Sequence, residues 1–469
     1  MRLPEELIDY IDRNFCPSKR EWKLIMDKSE EIRRSIFFLL RNEYNIVEED
    51  LVLLGSVPRM TYLKDDYDVD LFIRLEKDID IKLFIEFLIS EISKDPNYKI
   101  RIRYADHPYI EMYVRDLKFN IVPSYKTSYP NWLSPMDRSY FHHLYLVDKG
   151  INELYKEVVR LKAFLKASGV YGAEVYVGGF SGYLVELLIL KYGSMEEAIY
   201  NISKWSTPTI IDLEGHYPNS NLIFEVFGYN IPLIVVDPVD KGRNVAASVK
   251  RKNFSKIISA AKYFISNPTI KFFKESPYLS GSKSLYYKYK DMIKPDLPIL
   301  IIYMEHGEKI EDIHYSQLER VSRKLKNVVE KEGFKIFKMG VYSDYISRSA
   351  IFLLFSELEK AKYEKVRGPY PYMSSEEKFL SKNSFRIKWI DEDGRWYTLK
   401  ESRYLKADEL IKHIIDNRLI RIPSEMYDKY SVIVMNECQE LFLNNSLLSK
   451  WLINFVVGDE FWALPHLLT

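Results

Sequence analysis

The stretch Asp68-Val69-Asp70-Leu71-Phe72-Ile73-Arg74-Leu75 sets two acids one residue apart in an apolar run. Read as a strand, it puts side chains i and i+2 on one face, so the two carboxylates are neighbours. Val69, Leu71 and Ile73 then point the other way, into a core. Like charges side by side on a sheet repel, so the pair calls for a positive group between them. The chain must therefore build a sheet with one apolar face and a charged site on the other.

Thirteen residues before Asp68, Gly55-Ser56 closes a short apolar run, DLVLLGS (50–56). Glycine lets backbone come close to a ligand. Exposed amides and a serine hydroxyl at such a turn hold phosphate oxygens. Paired carboxylates are hard ligands of the kind Mg²⁺ takes together with substrate phosphates. The positive group is read as Mg²⁺, and the chemistry as phosphoryl or nucleotidyl transfer. A lone D-x-D is commonly a solvated strand edge. The glycine-serine turn between two strands argues against that use here.

At 469 residues the chain exceeds one core of about 100–200 residues. Apolar periodicity predicts a helix over 19–44, strands over 50–56 and 68–75, and a helix over 81–93. Further strands follow in YKIRIRYADHPYIEMYV and LKFNIVPSY, the last two joined at Arg115-Asp116. A helical region opens with 151–172, where Leu154, Val158, Leu161 and Leu165 make one apolar stripe and Gly169 ends the helix; further helices are predicted over 181–194 and 249–266. Pro and Gly punctuation over 277–298 marks a boundary, after which a strand at LPILIIYMEH and a helix over 316–333 open an α+β region. The fold class is α/β and α+β multidomain: a mixed-sheet head (1–145), a helical middle (146–276) and an α+β remainder (277–469).

Cys16 and Cys438 show no metal-ligand spacing and no disulfide framework, which suits a reduced, cytoplasmic protein. MRLPEELIDYIDRNF lacks the apolar core of a signal peptide. The longest apolar run, YLVELLILKY, falls short of the ~18 residues of a membrane span, so no membrane partner is expected.

The pattern GS…T…DxDxF (Gly55-Ser56, Thr61, Asp68, Asp70, Phe72) resembles the nucleotidyltransferase superfamily. RSYFHHLYL, VVRLKAFLKASGVYGAEVYVGGFSGYLVELLILKYGS and VVDPVDKGRNVAASV are similar to the archaeal (class I) CCA-adding enzyme family. The likeness is strongest over residues 50–275, looser in YSQLERVSRKLKNVVEKEGFKIFK and faint in the final tail. It implies a nucleotidyltransferase-type head, a helical nucleotide-binding middle and a C-terminal RNA-binding body. It implies template-independent addition of C, C and A to tRNA from CTP and ATP, with Mg²⁺ as cofactor. The tRNA would be gripped at its acceptor stem and T-arm, and a homodimer is a possible assembly.

The resemblance also implies roles. Gly55, Ser56 and Arg59 would contact the incoming nucleotide, and Asp68 and Asp70 would hold Mg²⁺. His142, Lys162 and Tyr171 would bind the triphosphate, and Arg243 would read the base. Taken singly, each has an ordinary use as a packing or solvated side chain. Their position inside matching motifs is what singles them out.

One position departs from the family. A third carboxylate stands in its strand motif resembling VDVVPCY, whereas this chain reads FNIVPSY, with Asn120 there. An amide oxygen still ligates a cation but brings no charge and no base. A two-residue turn at Arg115-Asp116 pairs Glu111 with Asn120 across the strands. Glu111 then either forms an ordinary polar cross-strand pair or supplies the missing carboxylate through or beside Asn120. Two other readings stay open: a poly(A)-type polymerase, and a tRNA-binding paralogue whose catalysis Asn120 impairs.

Net charge is +1, yet residues 241–290 hold twelve Lys or Arg against one acid, Glu275. Rings interleave them: Phe254, Tyr263, Phe264, Phe272, Phe273, Tyr278, Tyr286, Tyr287 and Tyr289. This pattern suits phosphate tracking and base stacking; composition alone equally allows a segment whose rings are core and whose lysines only solubilise its face.

Overall fold

The computed structural model describes residues 3–104, 108–276, 279, 294, 296–423, 429–435, 446–458 and 460–463. Cys438, Tyr278, Tyr286, Tyr287 and Tyr289 lie outside them. The chain forms two compact units, Met1–Ser280 with Gly458–Thr469, and Gly281–Val457.

The first unit opens with α1 (Glu5–Phe15) and α2 (Lys19–Leu40). Ser18 caps α2 by accepting from the Glu21 amide. The helix ends at Leu40, short of the predicted 44; a turn over 41–43 follows, and Asn45 takes a left-handed conformation (φ +48°). Five strands follow: β1 (Leu51–Leu54), β2 (Val69–Leu75), β3 (Tyr98–Tyr104), β4 (Pro108–Val114) and β5 (Leu117–Tyr125), with α3 (Ile81–Ile92) between β2 and β3. Their order is β1-β2-β5-β4-β3; only β2 and β5 run parallel, and the other pairs are antiparallel.

Alternation sorts the sheet into two faces. Val69, Leu71, Ile73, Ile110, Met112, Phe119 and Ile121 are buried against Ile25, Ile32 and Ile36 of α2 and Phe84 and Leu88 of α3. At roughly 1.5–3 kcal/mol per buried large apolar side chain, this face anchors the head. The opposite face carries Asp70, Asn120 and Glu111. The register sets Asn120 between Asp70 on β2 and Glu111 on β4, the pairing that the Arg115-Asp116 turn predicts.

The helical part of this unit comprises α4 (Arg138–Asp148), α5 (Tyr155–Ala167), α6 (Gly182–Tyr192), α7 (Met195–Ile202), α8 (Ser220–Phe227), α9 (Arg251–Ser266) and the short α10 (Lys271–Lys274). β6 (Thr209–Asp212) and β7 (Leu233–Val236) form a small parallel pair within it. Helix α5 is buried on more than the predicted stripe; Val159, Lys162, Ala163 and Phe164 are inside as well. Phe461 and Trp462 return to this unit and pack on Phe272.

The ring-and-cation segment sorts differently from its expected use. Phe254, Phe264, Phe272 and Phe273 are core side chains, so these four are closed to stacking on bases. Lys250, Arg251, Lys252, Lys262 and Lys274 stay exposed. Helix periodicity explains the split: α9 buries its apolar stripe together with Lys256 and leaves Lys252 and Lys262 in water.

In the second unit, β8 (Ile299–Glu305), β9 (Ile336–Ser343), β10 (Arg348–Phe355) and β14 (Tyr430–Val434) form an antiparallel sheet in the order β14-β8-β10-β9. Helices α11 (Glu311–Lys331) and α13 (Ala407–Asp416) cover one face. Phe455 of α14 (Ser446–Val456) packs on Phe352 of the other. A smaller sheet, β11 (Tyr363–Arg367), β13 (Trp396–Glu401) and β12 (Lys388–Ile390), completes the unit with α12 (Glu376–Lys382). No helix among the described residues is long and apolar enough to cross a membrane.

Candidate active site

The charged face of the first sheet forms the floor of a cleft of about 320 Å³. Leu54, Phe72 and Val122 make an apolar patch beside Asp70 and Asn120. His142, His143 and Leu146 of α4, with Tyr183 of α6, line the cleft as well.

Asp68 and Asp70 are tied to β5. Asn120 Nδ2 donates to Asp70 Oδ1 at 3.0 Å and lies 3.5 Å from Asp68 Oδ2. Lys118 Nζ donates to Asp68 Oδ2 at 3.0 Å and to Glu111 Oε1 at 3.0 Å. Burial pushes the Asp70 carboxyl up to about 6, the Asn120 hydrogen bond opposing and the Asp68 charge adding. Burial works against a charged Lys118, but Asp68 and Glu111 overrule it and hold the ammonium above its ordinary value. Asp68 Oδ1 and Asp70 Oδ2 accept no hydrogen bond among the described residues. Asn120 Oδ1 is buried with no hydrogen-bond partner. Two free carboxylate oxygens on one sheet face suit a hard divalent cation; Asn120 turns its Nδ2 to both acids, so its Oδ1 would join them once the amide rotates.

Gly55 makes the close approach possible. It sits at φ +75°, and a Cβ on it would lie 2.1 Å from Asp70 Oδ2. The turn after it is closed by Met60 N to Val57 O and Thr61 N to Ser56 O, each 3.0 Å. Trp22 of α2 pins the turn by donating Nε1–H to Val57 O. Gly55→Ala is expected to fold, and to lower kcat by about 10²-fold by displacing the Asp70 carboxylate. Steady-state kinetics beside a melting curve check this.

A buried network backs the turn. Arg59 is 7% exposed and forks onto Glu186 of α6 at 3.1 and 2.9 Å. Thr61 Oγ1 donates to Glu186 Oε1 at 2.6 Å. Burial opposes an ionised Glu186, yet the Arg59 and Lys162 charges hold its carboxyl below the usual range. Arg59 Nη1 donates to His143 Nδ1 at 2.9 Å, and burial with the Arg59 charge pushes that imidazole down to about 4. Lys162 donates to Thr61 O at 2.7 Å, and burial pushes its ammonium down to about 8. Tyr171 stands beside it, Lys162 Nζ lying 5.9 Å from the ring centroid.

Asp237, which follows β7, is fully buried and gathers a second set. His142 Nε2–H donates to its Oδ2 at 2.9 Å, and Arg243 Nη1 to the same oxygen at 2.8 Å. The Val239 amide and Tyr183 hydroxyl donate to Oδ1. Burial resists ionisation, but these donors, His142 foremost, bring the carboxyl down to about 2. His142 stacks on Tyr183 with centroids 4.2 Å apart. Arg243 itself lines a neighbouring hollow of about 460 Å³ with Arg138, Ser181 and Asp240.

Residues 156–274 match the family model for tRNA nucleotidyltransferase, second domain, and residues 297–433 that for CCA-adding enzyme, C-terminal domain. The chain is 32% identical to a CCA-adding enzyme of Sulfurisphaera tokodaii over 88% of its own length and 91% of that protein's. It is 31% identical to one of Methanocaldococcus jannaschii, covering 90% and 93%, and 33% identical to one of Methanopyrus kandleri, covering 97% of each. The chain belongs to the CCA-adding enzyme family.

In this family member the structure brings Gly55, Arg59, Asp70, Asn120 and His142 to the walls of one cleft. Asp68 is joined to Asn120 at its edge. Ser56 heads the turn, and Lys162 and Tyr171 stand behind it. Arg243 is linked to the cleft through Asp237 and His142. Glu111 lies opposite Asn120 with its carboxylate on Lys118.

Three residues escaped the sequence reading. Lys118 was legible as the side chain two before Asn120, hence on its face. Glu186 was legible as an acid inside the apolar run YLVELLILKY, where burial demands a partner. Asp237 stood inside the quoted VVDPVDKGRN with no feature to mark it as the hub.

Proposed function

We propose that this chain completes tRNA by adding C, C and A to its 3′ end from CTP and ATP without a template. The terminal hydroxyl oxygen bonds to the α-phosphorus, the α–β phosphoanhydride bond breaks and pyrophosphate leaves. The observation carrying this reading is Asp70, set against Gly55 on the floor of the cleft of about 320 Å³, with Asp68 joined to the same Asn120 at its edge.

Asp68, Asp70 and Asn120 would hold the cation, proposed to be Mg²⁺. When bound, it neutralises charge on the reacting phosphates and the departing pyrophosphate. The rest of the work is alignment. Gly55 and the Ser56 turn offer backbone and hydroxyl donors to the phosphates. Arg59 and Lys162 supply positive charge behind that turn, Tyr171 walls it, and His142 faces the triphosphate from α4. Arg243, aimed by Asp237, reads the base. The Gly281–Val457 unit grips the acceptor stem and T-arm by shape, as suits an A-form helix.

The test offers tRNA lacking its last three nucleotides, Mg²⁺, CTP and ATP, and sequences the products. Addition of C, C and A followed by arrest is expected. Unlimited A addition would replace this reading with a poly(A)-type polymerase. tRNA binding without incorporation would replace it with a catalytically impaired paralogue.

A further inference from the structure

The acid pair carries a resident cation. Lys118 Nζ bridges Asp68 Oδ2 and Glu111 Oε1 at 3.0 Å each. Glu111 is almost fully buried, and the Tyr113 hydroxyl approaches its other oxygen at 3.4 Å. Lys118 is 30% exposed and Asp68 40%, so the ammonium stands at the mouth of the cluster, with its acid partner Glu111 beneath.

The charges count in one direction. Asp68, Asp70 and Glu111 bring three negative charges; Lys118 offsets one and Arg101 stands opposite Glu111 on β3, so the cluster carries no more negative charge than a single divalent cation neutralises. Asn120, between Asp70 and Glu111 in the register, adds none. Each acid of the pair has one oxygen engaged and one free of hydrogen bonds among the described residues. A second divalent ion ~3.5–4 Å from the first would need an anionic ligand shared between them. The oxygen of Asp68 that could be shared is taken by an ammonium, and Asn120 has no charge to offer.

We propose that Lys118, held in place by Glu111, stands in for a second divalent cation, so that this active site takes one metal ion on Asp68 and Asp70 and not a pair. Glu111 then serves as a positioning residue for Lys118 and not as a metal ligand. The inference rests on the reading of Asp68 and Asp70 as cation ligands. A lysine supplies fixed positive charge but no metal-bound hydroxide, so the cation requirement for turnover is first order.

The test is electron paramagnetic resonance of Mn²⁺ on the full chain, with a non-hydrolysable CTP analogue and tRNA ending in a 3′-deoxynucleotide. The wild type is expected to show an isolated bound ion that Asp70→Asn removes. The double variant Lys118→Met/Asn120→Asp is expected to show a spin-coupled pair. A coupled pair in the wild type would overturn the inference while leaving the acid pair as a cation site. Bound Mn²⁺ indifferent to Asp70→Asn would overturn the acid-pair reading itself. If the double variant does not fold, turnover decides. Lys118→Met should lose about 10²-fold, with at least tenfold recovered in Lys118→Arg, the scale of one electrostatic donor. Lys118→Met at wild-type turnover contradicts the inference.

Discussion

Asp70→Asn is expected to slow single-turnover transfer of CMP to tRNA by about 10³-fold, the scale of several kcal/mol of lost charge stabilisation. The substitution keeps the shape of the side chain and removes its charge. tRNA binding should be unchanged, because Asp70 lies on the sheet floor among Leu54, Phe72 and Val122. Stability should not fall. Burial raises the folded-state pKa of Asp70 to about 6, above the ordinary carboxylate value. A group raised in this way contributes its stability below the unfolded pKa and loses it as pH rises through 6. At pH 7 the charged form is therefore a burden on the fold, and an amide relieves it. Rapid-quench kinetics with a melting curve separate the two effects: slower chemistry with an equal or higher melting temperature.

Asp237→Asn is expected to lower kcat/KM for CTP and ATP together by about 10²-fold and to lower the melting temperature by several degrees. Asp237 is fully buried and accepts from His142, Arg243, Tyr183 and the Val239 amide. A neutral amide leaves Arg243 without its counter-charge and turns an N–H₂ toward donors. Breaking a buried pair from one side costs about 3 kcal/mol, worth several degrees in a unit of this size. Since one carboxylate aims both His142 and Arg243, adding His142→Ala or Arg243→Ala to Asp237→Asn should cost less than the separate losses combined. A thermal shift with nucleotide kinetics unchanged would contradict the role given to Asp237.

The head was legible because strand alternation is strict. Val69, Leu71 and Ile73 could face only a core if Asp68 and Asp70 faced water or a ligand, and the register of Glu111 with Asn120 followed from a two-residue turn. The helices α5, α6 and α9 were legible from 3.6-residue periodicity and from glycine stops such as Gly169, at φ +67°. The charged partners were harder to read. Glu186 meets Arg59 across 127 residues, and Asp237 meets His142 across 95. No local rule announces such pairings, because partners this far apart in sequence meet only through the tertiary fold. The rings of 254–273 misled for a related reason. Composition counts aromatics without saying which face of a helix they occupy, and the fold placed four phenylalanines inside. The return of Phe461 and Trp462 to Phe272 left no mark in the local sequence either.

The most direct measurement replaces Mg²⁺ with Fe²⁺ and uses ascorbate and peroxide to cut the backbone where the ion sits, with fragments mapped by mass spectrometry. Cuts are expected beside Gly55, at Asp68–Asp70 and at Asn120, all disappearing in Asp70→Asn. Cuts that cluster elsewhere in an active preparation, or that persist without the Asp70 charge, would show that the acid pair does not hold the cation.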